Sequence, residues 1–457
     1  MHRPHSRRSF LRGTIVAAGG AFLAACTRAL GRRQPTWLPP IPMGTAPDRV
    51  DASAFDTTTP IKRVVYIIKE NRTFDHLFGR FPGANGTSVG MDRGVERPLA
   101  SATRGAIATD IEHCYECAIE AWNQGRMDGF NRNEAADRGA YTQFLPEDLP
   151  NYWHWAEQFV LLDNFFTSAH GPSFPNHLFA IAAQSGGTYE NPVQDRAQLG
   201  RRHRETGLFK AWGCDSLSDA FVGVKDAEGN VDRAFPCFDL ETAGDLLDRK
   251  RIPWACYSAT PFQNGYLWNA FSAVSHMRRD AERWARHCFP VDDLIHHIRE
   301  GRLPPVTWVT PRFEVSDHPE YSLCWGETWT TKVLNAIMES VTWKETAVFL
   351  TWDDYGGFYD HEPPPQVDVL GFGIRAPMLV ISPYAKHGHV SRELAEFSSP
   401  VRFIEDNWGL PQLAERDRRA TPLLDSFDFD QRPRPPDPRR LPGDCVGPVY
   451  PDEPPGA

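Results

Sequence analysis

The sequence predicts an α/β fold built on a mostly parallel sheet, and three observations carry that prediction. Val64-Val65-Tyr66-Ile67-Ile68 is a continuous β-branched and aromatic run, and similar runs occupy residues 252–257, 306–309, 347–352 and 377–381. Such runs lack the in–out alternation of a half-exposed strand, as expected of strands buried on both faces of a parallel sheet. Helical spacing falls between them, at residues 176–184, 240–249 and 329–341, and strands alternating with helices are the α/β signature. Finally, 41% of the 457 residues are apolar and 24% are charged, a balance that suits a sizeable core.

The elements follow in order along the chain. Residues 1–25 read as a Tat-type export signal. Ser6-Arg7-Arg8-Ser9-Phe10-Leu11-Arg12 is a twin-arginine pattern, and an apolar run from residue 14 to 25 follows it. The expected partner during export is the Tat translocase, and the expected location is periplasmic, cell-surface or secreted. The signal ends Leu23-Ala24-Ala25-Cys26, which resembles a lipobox with Cys26 as the lipidated residue; ordinary cleavage beside small residues is the alternative. Lipidation would tie the chain to a membrane. Residues 26–60 are rich in Pro, Thr and Asp and read as a linker. Residues 61–412 hold the strand and helix patterns and form the expected catalytic domain. Residues 413–457 are a proline-rich extension, expected to be irregular or an extended strap.

Charge and composition exclude some classes. Lys and Arg number 49 against 59 Asp and Glu, so the net charge is −10. Removing residues 1–25 takes away four arginines and no acid, leaving −14. An acidic chain without a basic block is poorly suited to nucleic-acid backbones. Past the N-terminus no stretch approaches the ~20 apolar residues that span a bilayer. Eight cysteines follow residue 26, an even number that permits disulfides in an exported chain but leaves the pairing open. Cys114-x-x-Cys117 could be half of a zinc site, although no second such pair accompanies it.

Polar clusters collect where the apolar runs end, and in open parallel sheets ligands bind beyond the carboxyl ends of strands. The first run passes into Lys69-Glu70-Asn71-Arg72. The run at 347–352 passes into Asp353-Asp354-Tyr355-Gly356-Gly357. Residues 306–309 are followed by Arg312, Asp317 and His318. A carboxylate and an amide from one strand, meeting two carboxylates from another, make a hard, oxygen-rich site suited to a divalent cation. The bland alternative is that each cluster caps a strand in a solvated loop.

A second signal is Gly171-Pro172-Ser173-Phe174-Pro175-Asn176-His177. Gly and Pro shape a sharp loop, and Pro175 suits the first turn of a helix. Ser173 then stands at a helix N-terminus, where backbone N–H groups and the dipole favour anions. Beside a metal such a serine can attack phosphorus, whereas by itself it is simply a cap. The surroundings do not match the G-x-S-x-G elbow of serine esterases. His113, His318 and His361 flank these loops; His170, His177, His387 and His389 stay unassigned.

Taken together, four segments resemble the bacterial phosphoesterase family of phospholipases C and AcpA-type acid phosphatases. They are residues 67–75, residues 122–130, residues 171–177 and Thr351-Trp352-Asp353-Asp354-Tyr355-Gly356-Gly357-Phe358-Tyr359-Asp360-His361. They keep the family's order across residues 61–410. The resemblance implies an alkaline-phosphatase-like, three-layer α/β sandwich. It also implies a divalent metal ion bound by Glu70, Asn71, Ser173, Asp353 and Asp354. Ser173 takes the nucleophile's place, and His113, His318 and His361 match histidines around the scissile phosphate. The sequence departs from the family at Gln124 and Arg126, where Gly and Lys are usual. It departs again at Asp354, where Glu is frequent, and at Glu362, where an apolar residue is common. The expected activity is phospholipase C-type hydrolysis of a phospholipid such as phosphatidylcholine. A small phosphate monoester, as for an acid phosphatase, is the nearest alternative. A non-catalytic exported ligand-binding protein on the same fold is a different class of reading.

Overall fold

The computed structural model describes residues 41–105, 108–131, 139–443 and 445; the export signal and Cys26 lie outside the described residues. Eight strands form the main sheet: β1 Arg63–Lys69, β2 Val160–Leu162, β3 Trp254–Ser258, β4 Cys288–Pro290, β5 Val306–Val309, β6 Thr346–Trp352, β7 Met378–Ile381 and β8 His389–Ser391. Their order is β4-β3-β5-β1-β6-β7-β2-β8. All neighbours are parallel except β7, which runs antiparallel to both β6 and β2. The five apolar runs of the sequence are β1, β3, β5, β6 and β7. The other three strands are three residues each, too short for a periodic signal.

Side-chain parity shows the layering. Every residue of β1 and of β6 is buried, so both faces of the sheet centre are covered. Successive side chains on a strand point to opposite faces. On β1, the Tyr66 hydroxyl donates to the Phe397 carbonyl at 3.4 Å, just ahead of a helix at Ser398–Trp408. Lys69, of opposite parity, donates through Nζ to the Tyr152 hydroxyl at 2.7 Å and to Thr330 Oγ1 at 2.9 Å. Tyr152 belongs to Pro150–Gln158 and Thr330 to Leu323–Glu339. Helices therefore cover both faces, giving the three-layer α/β sandwich.

In chain order the helices needed below are α1 Tyr115–Trp122, α2 Pro150–Gln158, α3 Ser173–Ala182, α4 Ala243–Arg249, α5 Leu323–Glu339 and α6 Ser398–Trp408. Helix α3 begins three residues before the predicted start, because Pro175 sits within the first turn, where no N–H is needed. Helix α4 starts at a capping box in which Thr242 and Asp245 satisfy each other's backbone N–H. Helix α5 starts six residues earlier than predicted. Gly326 in its first turns hid the pattern, and a Cβ there would lie 1.6 Å from Asp317 Oδ1.

The flanking segments are tied to the body. Gly44 N–H donates to the Cys288 carbonyl at 2.8 Å, and Arg302 Nη1 to the Pro47 carbonyl at 3.0 Å. Residues 431–443 form no helix or strand and are held by Trp343 Nε1 on the Arg434 carbonyl and by Arg439 N–H on Asn335 Oδ1. Disulfides join Cys114 to Cys117, Cys214 to Cys237 and Cys324 to Cys445. The first of these corrects the half-zinc reading, since a bonded pair offers no thiolate. Cys256 and Cys288 are buried thiols, register partners on β3 and β4.

On α6, burial and the nearby Asp417 push the Glu405 carboxyl up to about 10. The folded chain thus holds a proton that an unfolded glutamic acid releases above its ordinary pKa. Stability from this group is full below about 4.5 and is lost as pH rises towards 10. Glu405→Gln removes that dependence. Its melting temperature should exceed the parent's by a few degrees at pH 8, with the gap closing towards pH 4; equal melting curves at both values would refute it.

Candidate active site

The site begins with strand adjacency. β1 and β6 pair in parallel with Lys69 opposite Trp352, so Glu70-Asn71 and Asp353-Asp354 leave neighbouring carboxyl ends side by side. Asp353 Oδ1 accepts the N–H groups of Asn71 and Asp354, both at 2.8 Å. Asp354 Oδ1 accepts the Gly356 N–H at 2.7 Å. Asn71 has φ 64°, a left-handed conformation that Asn tolerates better than most residues. Gly356 presses on it: a Cβ there would stand 2.4 Å from the Asn71 carbonyl oxygen.

Helix α3 brings the serine. Gly171 has φ 89°, and a Cβ on it would lie 2.7 Å from Tyr115 Cα, so glycine lets the loop pass against the start of α1. Asn176 clamps that loop, its Oδ1 accepting the Ala169 N–H at 3.0 Å and its Nδ2 donating to the Gly171 carbonyl at 3.2 Å. Ser173, 2% exposed, donates through Oγ between Asp354 Oδ2 at 3.3 Å and Glu70 Oε2 at 3.4 Å. One turn on, His177 shares the face of Ser173. Its Nε2 lies 2.9 Å from Glu70 Oε1 and 3.6 Å from Asp353 Oδ2. Sequence reading left His177 unassigned; its i+4 spacing from Ser173 was the available signal.

Two of the three predicted histidines join this cluster. His113 uses Nδ1 on the Ile111 carbonyl at 2.6 Å, and its Nε2 stands 3.1 Å from Asn71 Nδ2 and 4.0 Å from Asp354 Oδ2. This contact turns the Asn71 amide, leaving the buried Oδ1 without a partner. Burial opposes the charged form of His113, but Asp354 and Asp110 outweigh it and raise its pKa. His318 donates through Nδ1 to the Pro319 carbonyl at 2.6 Å, which leaves Nε2 as a free lone pair. Burial pushes His318 down to about 4, so its ring is neutral at physiological pH. Asp110, His113 and His318 have ligand atoms close enough to share a cation.

His361 goes elsewhere. Its Nδ1 meets Asp75 Oδ2 at 2.6 Å, within a buried network where Arg375 pairs with Asp360 at 3.1 Å and with Asp75 at 3.4 Å. After Asp354 the chain turns through Gly356 and Gly357, and His361 takes Asp75 and Asn85 as its partners. The guanidinium already supplies the cation that Asp75 and Asp360 need.

The donor set fits a divalent cation. Glu70, Asp353 and Asp354 are fully buried. Burial, and then the charge of Asp353, push Glu70 and Asp354 well above the ordinary carboxylate range. For Asp353 burial works the same way, but the nearby His177, together with Glu70 and Ser173, outweighs it and holds the group low. Asp353 Oδ2 and Asn71 Oδ1 are buried without hydrogen-bond partners, and Glu70, His177 and Asp353 have ligand atoms within 4.8 Å of one another. Carboxylate and amide oxygens with one imidazole suit a hard or borderline divalent ion.

Glu70→Gln and Asp353→Asn should each lower the divalent metal content per purified chain severalfold, read by elemental analysis. His361→Gln should leave it at the parent level. Full metal in both acid variants would refute the shared site, and loss in His361→Gln would refute the placement of that residue outside it.

Residues 61–411 match the model of the Phosphoesterase family. The haemolytic phospholipase C of Pseudomonas aeruginosa is 25% identical over 474 residues, covering 88% of this chain; the chain spans only 59% of that relative's length. Phospholipase C A of Mycobacterium tuberculosis is 24% identical, covering 94% of this chain and 86% of its own. A solved protein of the alkaline phosphatase superfamily from Vibrio parahaemolyticus aligns with 82% of this chain and 70% of its own, at 10% identity and a TM-score of 0.34. With the family's pattern matched across 61–411 of its 457 residues, the chain belongs to the Phosphoesterase family, whose members act on phosphate-ester bonds.

Proposed function

We propose that this chain is an exported, metal-dependent phosphodiesterase of phospholipase C type. Its proposed substrate is a phospholipid such as phosphatidylcholine, and its proposed nucleophile is Ser173. The observation that carries the reading is the Ser173 hydroxyl, held between Glu70 and Asp354 at the head of α3. The named activities of relatives at about 25% identity support it.

The residues divide the work. Glu70, Asn71, Ser173, Asp353, Asp354 and His177 would hold the cation. When bound, that ion lowers the pKa of a hydroxyl and screens repulsion between nucleophile and anionic ester. Ser173 Oγ attacks phosphorus in line as the bond to the leaving alcohol breaks, and its proton passes to a neighbouring base. Water then cleaves the phosphoserine. His318 keeps Nε2 unprotonated because Nδ1 is spent on Pro319, so it can take and return a proton. His113 holds the Asn71 amide nitrogen, so that Oδ1, which has no other partner, would be available to the cation. For a phospholipase C the leaving alcohol is diacylglycerol.

Ser173→Ala should lower kcat by about three orders of magnitude or more while the fold survives, since the Ser173 hydroxyl caps no backbone N–H of α3 and meets Glu70 and Asp354 instead. Turnover of phosphatidylcholine and of an aryl phosphate, followed in parallel, decides the substrate class. Retained activity in Ser173→Ala would overturn the nucleophile. Faster turnover of the aryl ester would replace the diesterase with the monoesterase, and no turnover of either by metal-loaded protein would leave a ligand-binding role.

Export rests on the twin arginines and Cys26. Arg7→Lys with Arg8→Lys keeps the charge but not the planar donors, so the double variant should accumulate unprocessed in the cytoplasm. Stable anchoring needs more than one lipid chain, as a bacterial lipoprotein carries. The parent should therefore pellet with membranes and Cys26→Ser should not. Equal solubility of the two would remove the lipid anchor, and normal export of the double variant would remove the Tat route.

A further inference from the structure

A second cavity, of about 340 Å³, lies beside the β1 terminus and shares no lining residue with the Ser173 cluster. Its mouth is marked by the exposed Thr103 and Thr109, and its floor by the buried Arg72, His76 and Phe358. Arg72 is 1% exposed. One guanidinium nitrogen, Nη2, donates to the Asp317 carbonyl at 2.6 Å, and the group lies over the Phe358 ring at 4.8 Å. Nε and Nη1 are buried and have no acceptor. His76 stacks on Phe358 with ring centroids 3.8 Å apart, and its buried Nδ1 is also unpartnered. Burial keeps His76 neutral, so the charge of the floor is that of Arg72. Unmet N–H groups on a buried cation are costly, and natural structures leave few of them.

We propose that this cavity binds an organic monocarboxylate, its carboxylate on Arg72 and its apolar body against Ala102, Ala108, Phe144 and Leu323. The walls select the class. One guanidinium meets one negative charge, and charge-assisted bonds to a carboxylate are the strong pairing for Arg. A dianion is disfavoured because the carboxylates of Asp317 and Asp110 already act on Arg72. The apolar lining gains from a hydrocarbon body, which inorganic phosphate lacks. The site stands whether or not Ser173 is the nucleophile.

The test is titration calorimetry on the metal-loaded full chain with octanoate, 1-octanol and inorganic phosphate. Octanoate should bind at one site at least tenfold more tightly than either of the others. Ala102→Leu narrows the cavity without touching Arg72 and should weaken octanoate at least tenfold, with the melting temperature confirming that the variant is folded. Arg72→Met should bring octanoate down to the affinity of 1-octanol; if that variant does not fold, Ala102→Leu alone decides. Equal binding of octanoate and octanol, phosphate binding as tightly as octanoate, or unchanged binding in Ala102→Leu would each overturn the proposal.

Discussion

Lys69 and Asp317 form an ion pair 2.9 Å apart at zero exposure, and the upper end of the sheet is organised around it. Lys69 closes β1, one residue before Glu70, and Asp317 stands one residue before His318. The Tyr152 hydroxyl and Trp352 Nε1 both donate to Asp317 Oδ2, at 2.9 and 3.0 Å. Gly326 leaves room for Asp317, and Arg72 donates to its carbonyl. Burial pulls Lys69 down to about 8 against the pull of Asp317. A buried pair of this kind is poor evidence of net stability, but removing one partner strands a charge at a cost of about 3–5 kcal/mol. The Glu70 N–H on the Ser316 carbonyl at 2.9 Å continues the same seam.

Above that seam the charge balance reverses. Elsewhere on the sheet buried charges are paired: Lys69 with Asp317, and Arg375 with Asp75 and Asp360. At the strand ends three carboxylates meet with His177 and a serine hydroxyl, and some of their oxygens have no partner. Two acidic clusters on one sheet thus differ in kind. One is neutralised by a guanidinium and serves the fold; the other leaves room for a cation. His361 belongs to the first, although its place in the motif points to the second.

The family match covers the whole α/β body, whereas the haemolytic relative extends well beyond the length this chain shares with it. The matched span holds the sheet, the strand-end acids and the serine helix. Gln124 and Arg126, which depart from the family pattern, lie in the turn that follows α1.

Fold class was legible because buried parallel strands are written as continuous apolar runs. The acids were legible because strand ends in such sheets face the ligand, and Ser173 because Gly171 and Pro172 announce a sharp entry into a helix. By itself the sequence determined these local facts, together with the left-over charge that asks for a cation. Only the tertiary structure decided which cluster each histidine joins. His177 is brought in by helical spacing, and His361 is taken by Asp75 and Asn85. Pairing of the cysteines, the order of the strands and the meeting of Lys69 with Asp317 were likewise invisible. Each depends on contacts between residues far apart in the chain, and no local pattern encodes which distant partner a side chain meets.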